Sequence, residues 1–234
     1  MWYDLKHGRF GEAPVPEQTY KDVDTIDKIL SIPDEAIHRD VDKIVQRASS
    51  DSVKIAIVGP PTIYDTGSGE VNTRSIQIPD LVKATLTRGF GPFIGEGLTE
   101  WDNVNVHDLA DLYVKLVDAT QDPSKQNDKE IFGLNGYFFA EGGTHKWSDI
   151  SRWVAEEARK QGYLPEAATK SVGIDEVKEW PGVANVSWGA NSKGVAQRAR
   201  KYLGWEPKGQ SVKDLIPAFV ATEAKALGLT PKHK

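Results

Sequence analysis

The sequence predicts an α/β fold with a parallel sheet, and three observations carry that expectation. Val53–Val58 and Gly136–Ala140 are short runs that are apolar at both parities apart from Lys54, the pattern of strands covered on both faces. Segments with apolar residues at helical spacing separate them, as an α/β chain requires. The first run stops at Gly59-Pro60-Pro61, where prolines cannot continue a ladder and pin the chain as it leaves the carboxyl end of the strand. Open α/β sheets bind ligands at that end, so function is expected around residues 59–64.

Residues 1–32 are polar, with Pro14, Pro16, several aspartates and one weak helical patch at Ile26, Ile29 and Leu30; they read as an excursion over a surface. A helix is expected from Pro33, with Asp34 and Glu35 in its first turn and Ile37, Val41, Ile44, Val45 and Ala48 on an inward face. After the opening strand, Asp65–Glu70 reads as a loop. Arg74–Arg88 reads as a helix with Ile78, Leu81, Val82 and Thr85 inward and Pro79 near its first turn. Gly89, Gly91, Gly95 and Gly97 then break the chain. Asn105 caps a helix carrying Leu109, Leu112, Tyr113, Leu116 and Val117, and Gly136–Ala140 is the second strand. The rest is expected to be helical. One helix is capped by Ser148 and ended by Gly162, a short one spans Ile174–Trp180, and another runs from about Ser192 to Leu203 with Gly204 closing it. Ser211 and Asp214 open the last helix, with Pro217 either kinking it or marking its real start. Two strands are too few for a doubly covered sheet, so the chain reads as the carboxyl portion of a larger fold.

The length of 234 residues supports one large domain, or one domain with a smaller lobe. A net charge of −5 argues against general nucleic-acid binding, which needs a basic footprint. From Lys193 onward nine Lys/Arg stand against three Asp/Glu, which reads as solvated helix faces. The absence of cysteine excludes disulfides, thiol nucleophiles and cysteine-ligated metals. No segment has the core of a signal peptide or the length of a membrane span. A soluble cytoplasmic protein with no nucleic-acid or membrane partner is therefore expected, and a homodimer is left open. The tryptophans, Trp101 among them, read as packing residues rather than a sugar-stacking platform.

Several motifs occur in one order: His38-Arg39-Asp40-Val41-Asp42, Ile55-Ala56-Ile57-Val58-Gly59-Pro60-Pro61-Thr62-Ile63-Tyr64, Asn72-Thr73-Arg74-Ser75-Ile76-Gln77-Ile78-Pro79, Val104-Asn105-Val106-His107-Asp108-Leu109-Ala110 and Tyr202-Leu203-Gly204-Trp205-Glu206-Pro207. In that order and spacing the chain resembles the extended short-chain dehydrogenases, the NAD-dependent epimerase/dehydratase-like NAD(P)-binding proteins, and most closely a fungal group of them. The resemblance covers nearly the whole chain but only the second half of a full-length member. It implies a partial Rossmann-like parallel sheet with a smaller, mostly helical substrate lobe. Residues 1–70, with 104–140 returning, would form the carboxyl half of the NAD(P)-binding domain, and 71–103 with 141–234 the lobe. It also implies NAD or NADP as cofactor, with Pro60, Pro61, Thr62 and Ile63 beside the nicotinamide. A small-molecule carbonyl or alcohol is the implied substrate, met by Tyr64, Asn72, Arg74, Ser75 and Gln77. A proline-fixed backbone at a strand end is rigid enough to position a flat ring.

Two features of the family are missing. A glycine turn of the form G-x-x-G-x-x-G usually cradles the pyrophosphate, yet here Gly133 and Gly136 share only the first interval and Phe139 stands at the third. The residue that reads the ribose, and so separates NAD from NADP, falls in the upstream half as well. The family's Tyr-x-x-x-Lys, in which lysine lowers the tyrosine pKa for proton transfer, is absent from all seven tyrosines. Aligned by distance from Pro60, His38 falls at the position of one or other of these residues, and Asp34 or Asp42 lies a helical turn away. His38 and Asp42 are thus the candidate catalytic pair, against the plainer reading of a flank pair that supports the helix. His145, before Lys146-Trp147, has only its position to suggest contact with a ligand. No metal site is expected. The functional expectation is an NAD(P)-dependent oxidoreductase or epimerase-like protein whose present chain, incomplete, binds cofactor poorly alone. The alternative, a non-catalytic dinucleotide-sensing module of the same fold, is favoured by the missing tyrosine.

Overall fold

A computed structural model describes residues 1–182 and 185–233. The chain opens with α1 (Trp2–His7), β1 (Thr19–Lys21), α2 (Ile26–Leu30) and α3 (Arg39–Arg47). Next come β2 (Ile57–Gly59) and β3 (Thr62–Tyr64), with Pro60 and Pro61 between them, then α4 (Gln77–Arg88) and β4 (Gly91–Ile94). β5 (Glu100–Asn105) runs directly into α5 (Val106–Gln121), followed by β6 (Tyr137–Phe139), β7 (Gly143–Lys146) and α6 (Trp147–Lys160). The last elements are β8 (Thr169–Val172), α7 (Ile174–Lys178), β9 (Lys193–Val195), α8 (Gln197–Leu203) and α9 (Val212–Ala226).

The α/β class holds, with short and mostly parallel pairings: β1 with β9, β2 with β6, β3 with β5 and β4 with β8, while β7 lies antiparallel on β5. Two hydrophobic clusters organise the helices. One joins α4, β4, α6 and α9 through Ile78, Leu81, Val82, Ile94, Ile150 and Val220, with Trp147 and Trp188 filling its middle. The other joins β5, α5, β6 and α8 through Val104, Leu112, Leu116, Phe138, Ala199 and Trp205. Trp101, Trp147, Trp188 and Trp205 are all buried, in keeping with packing roles.

Several expectations need correction. The described residues form nine strands rather than two. β5 escapes a hydrophobicity reading because Asp102, Asn103 and Asn105 are buried along it. Each is satisfied by a specific partner: Lys193 for Asp102, His145 for Asn103, and both Asp65 and the His107 amide for Asn105. β4 lies within the run of glycines read as breaks. A Cβ at Gly91 would collide with the Ser151 backbone of α6, so the glycine there permits close helix–strand packing. The opening strand is shorter than its apolar run, since Val53 is exposed and pairing begins where the Ile57 amide meets the Gly136 carbonyl at 2.7 Å.

The segment before residue 33 is part of the fold rather than a surface excursion. Asp4, Gln18, Asp22 and Ile29 are buried. Asp4 accepts from the Asn191 amide at 2.6 Å, and Asp22 ties β1 to β6 and to the start of α8. The helix expected from Pro33 begins at Arg39, because His38 adopts φ +68° and cannot lie in a right-handed turn. Its inward face is also reversed: Ile37, Val41 and Ile44 are exposed at 53%, 53% and 66%, while Arg39 is buried. The Arg39 guanidinium donates to the Ile32 and Leu30 carbonyls and so fixes that orientation. In α5, Leu109, Leu112 and Leu116 face in, but Tyr113 and Val117 face solvent. Residues 192–196 belong to β9 and its flanks, so the helix expected there starts at Gln197. Pro217 lies inside α9, whose cap is Ser211 as expected.

Asp108, in the first turn of α5, does more than complement the helix dipole. Its carboxylate accepts from the Lys208 and Gly209 amides at 2.9 Å, and its carbonyl accepts from the Trp205 indole at 2.9 Å. Asp108→Ala frees that loop and is expected to lower stability by about 1–2 kcal/mol, read as a shift in the urea midpoint at unchanged slope.

Candidate functional site

β2 and β3 pair with different strands, so the Gly59–Pro61 turn marks a switch between two sheets. Two cavities adjoin there and share Pro61. The first, about 200 Å³, is lined by Gly59, Pro60, Pro61, Tyr137, Phe139 and Lys193, among others. The second, about 320 Å³, is lined by Pro61, Ile63, Asn72, Arg74, Ser75 and Gln77, together with Asp65 and the apolar Val106. A larger space of about 440 Å³ lies between residues 49–54 and 127–135, but it is at the amino end of β2, away from the end at which such sheets bind ligands.

The expected binding residues are therefore largely brought together, with two exceptions. Thr62 is fully buried and its Oγ1 has no hydrogen-bond partner. Tyr64 belongs to the lobe cluster, and its hydroxyl donates to the Gln210 carbonyl at 2.8 Å. Burial, then the carboxylates of Asp108, Asp65 and Asp214, push that phenol up to about 12.

His38 and Asp42 separate. His38 sits exposed at the cap of α3, and Asp34, off the helix, pairs with Lys43. Asp42 is half-buried and accepts from the Tyr137 hydroxyl at 3.2 Å, with the Arg39 guanidinium 3.8 Å away. Burial raises the Asp42 carboxyl above its ordinary range, against the opposing hydrogen bond from Tyr137 and the charge of Arg39. Burial and the Asp42 charge together raise the Tyr137 phenol. Tyr137 thus joins the first cavity to Asp42, and it was missed because it opens a run read only as apolar strand.

A second polar group was also missed. Lys193 Nζ lies 2.9 Å from Asp102 Oδ1, 2.6 Å from Thr144 Oγ1 and 3.5 Å from Glu100 Oε2. Burial raises the Asp102 carboxyl, while the Gly194 amide and Lys193 hold it down. His145, which had only its place to recommend it, is buried beside Asn103 and Trp147. Burial first, then the Lys193 charge, lowers its pKa to about 3.

In the second cavity four of the five N–H groups of Arg74 are engaged. Its Nε donates to Glu223 Oε1 at 2.8 Å, Nη2 donates to both Glu223 Oε2 at 3.2 Å and Asp80 Oδ1 at 3.0 Å, and Nη1 donates to the Ser75 carbonyl at 3.3 Å. The Glu223 bond is the main reason its pKa rises. Asp65 adopts φ +80° and is held by the Thr66 amide at 2.7 Å and the Asn105 side chain at 2.8 Å. The Ser75 hydroxyl has no partner in the protein. Among the described residues no group of three or more His, Asp or Glu is placed to hold a metal, and no helix is long and apolar enough to cross a membrane.

No protein-family model matches the chain. The sequence is 32% identical, over 237 aligned positions, to Oxidase ucsJ from an Acremonium species, covering 98% of this chain and 68% of that protein. The fold is similar to the PbgP3 protein from Burkholderia pseudomallei, at 12% identity and a TM-score of 0.54, over 80% of this chain and 52% of that one. RMD from Pseudomonas aeruginosa complexed with NADPH aligns at 10% identity and a TM-score of 0.49, over 79% and 53% of the two chains. The chain spans about half the length of these solved structures.

Proposed function

The chain belongs to the NAD-dependent epimerase/dehydratase-like group of extended short-chain dehydrogenases, and on that premise we propose that it serves a nicotinamide-dependent oxidoreductase or epimerase-like reaction at a carbonyl or alcohol of a small molecule. The observation that carries this is the pair of adjoining cavities that share Pro61, one walled by Gly59 to Pro61 and the other by Asn72, Ser75 and Gln77. A flat ring against Pro60 and Pro61 would face a substrate held on the other side.

The residues present fit the nicotinamide end of NAD or NADP. β3 pairs on one edge only among the described strands, which leaves backbone groups of Thr62 and Ile63 to meet a carboxamide, and the buried Thr62 Oγ1 lacks a partner. The bound cofactor would supply hydride acceptance or donation. The chain's own residues orient the substrate and hold a proton near Tyr137, whose hydroxyl is directed to Asp42. The glycine-turn spacing for the pyrophosphate is absent from this sequence, so residues 1–234 alone are expected to bind NADH or NADPH weakly. A carboxylate beside Tyr137 opposes formation of its phenolate, and this favours the second reading, a dinucleotide-sensing protein without turnover.

Calorimetric titration with NADH and NADPH, followed by an aldehyde and ketone panel, tests both readings. Weak cofactor binding is expected, together with turnover that falls at least tenfold in Asp42→Asn or Tyr137→Phe and is less affected in His38→Ala. Binding without turnover selects the sensor, and absence of binding to any chain carrying these residues rejects the nicotinamide site.

A further inference from the structure

We infer that the cavity beneath Asn72, Ser75 and Gln77 takes an uncharged hydroxy- or oxo-compound and rejects nucleoside diphosphates; this deepens the proposed reaction and rests on it. Phosphoryl groups are held by unpaired cations or by helix amino termini; the two helix starts on this wall, α4 at Gln77 and α5 at Val106, each already carry an aspartate in the first turn, Asp80 and Asp108. Arg74 and Asp65 are the charged side chains on this cavity's wall, and Arg74 is already spent on two carboxylates, Glu223 in a two-pronged contact and Asp80 on a terminal nitrogen. One cation therefore faces three carboxylates once Asp65 is counted. Asp65 accepts from the Thr66 amide and the Asn105 side chain, neutral donors that orient it without cancelling its charge. Such an excess of negative charge repels an anion, and solvent around the exposed Arg74 side chain screens part of that repulsion.

The rest of the wall suits a neutral guest. Pro61, Ile63 and Val106 give an apolar side, and Asn72, Ser75 and Gln77 give a polar one. The Ser75 hydroxyl is buried without a partner in the protein, and a turn of its side chain toward the cavity would let it bond a hydroxyl or carbonyl oxygen. A volume of about 320 Å³ lies at the small end of the range for ligand pockets. Arg74, expected from sequence to meet substrate, instead ties the 72–77 loop to α9.

The test compares uridine 5′-diphosphate with uridine, its uncharged counterpart, by calorimetry on the full chain without cofactor. In the unmodified protein the diphosphate is expected to bind no tighter than uridine. Asp65→Asn removes the uncompensated charge while keeping a residue that tolerates positive φ, and the double variant Asp65→Asn/Asp80→Asn returns Arg74 to a single carboxylate partner. Diphosphate affinity is expected to rise at least threefold in the single variant and at least tenfold in the double, with uridine unchanged and thermal melts showing both folded. Diphosphate binding at least tenfold tighter than uridine in the unmodified protein, lost in Arg74→Gln, overturns the inference. No gain in the folded Asp65→Asn variant overturns it equally. Because cofactor is left out, failure of NADH to bind bears on the oxidoreductase reading alone, and tight diphosphate binding bears on this one alone.

Discussion

Asp22→Ala is expected to lower folding stability by about 3–5 kcal/mol, read as a large drop in the urea midpoint. The carboxylate is fully buried and accepts three backbone N–H groups: Phe139 at 2.9 Å, and Gln197 and Arg198 at 2.8 Å each. These donors belong to β6 and to the first turn of α8, so one side chain in the segment after β1 fastens two distant elements. Alanine leaves three buried donors without an acceptor, each costing about 1–3 kcal/mol where water cannot reach. The Asp22 carbonyl still holds the Arg198 side chain through Nε at 3.1 Å, which limits the loss. Asp22→Asn keeps one acceptor oxygen and is expected to lose about half as much. Burial already raises the Asp22 carboxyl, against those same backbone bonds. If alanine and asparagine variants unfold within about 0.5 kcal/mol of the parent, the network does not carry the stability assigned to it.

This network also marks where sequence reading stops. Short apolar runs and turn residues located β2, β6 and the Gly59–Pro61 turn, because burial on both faces and proline geometry leave marks within a few residues. The residues expected at the substrate side came together for a similar reason: Asn72 to Gln77 are local to one loop, so placing one places the others. Asp22, Asp102 and Asn103 leave no such mark. A buried carboxylate reads as a surface residue until its partners are known, and those partners lie from about forty to more than a hundred residues away. α3 failed for a different reason. Its apolar spacing was correct for a helix, but Arg39, anchored on the carbonyls of Leu30 and Ile32, decides which face turns inward. Tyr137 was hidden because an aromatic at the start of an apolar strand looks like packing, and only the approach of Asp42 gives it chemical interest.

His145 turns the same kind of burial into a dependence on pH. Asn103 Nδ2 can only donate, so at 2.9 Å it fixes His145 Nδ1 as acceptor and places the ring proton on Nε2, which has no partner. A second proton would have to enter on Nδ1, against that bond, against burial and against the Lys193 charge, and the folded pKa falls to about 3. In the unfolded chain the ring titrates near 6.5. Between these values the unfolded state carries more protons than the folded one, so the contribution of His145 is fully present above about pH 6.5 and is lost as pH falls toward 3. At about 1.4 kcal/mol per pH unit, roughly 2–3 kcal/mol should disappear between pH 6.5 and 4.5. The raised carboxyls of Asp22, Asp42 and Asp102 act with the opposite sign, since the folded state takes up their protons more readily as pH falls. The parent curve alone therefore mixes the two effects, and the decisive quantity is the difference from His145→Gln, in which the carboxyls remain and the imidazole is gone. Urea unfolding at pH 7, 6, 5 and 4.5 should show the parent losing about 2 kcal/mol more than the variant across that range, whereas parallel curves would remove His145 as the source. A ring that stays neutral throughout this range cannot cycle a proton with a substrate, which leaves Tyr137 at the first cavity, with Asp42 behind it accepting from its hydroxyl, as the pair to examine for proton transfer.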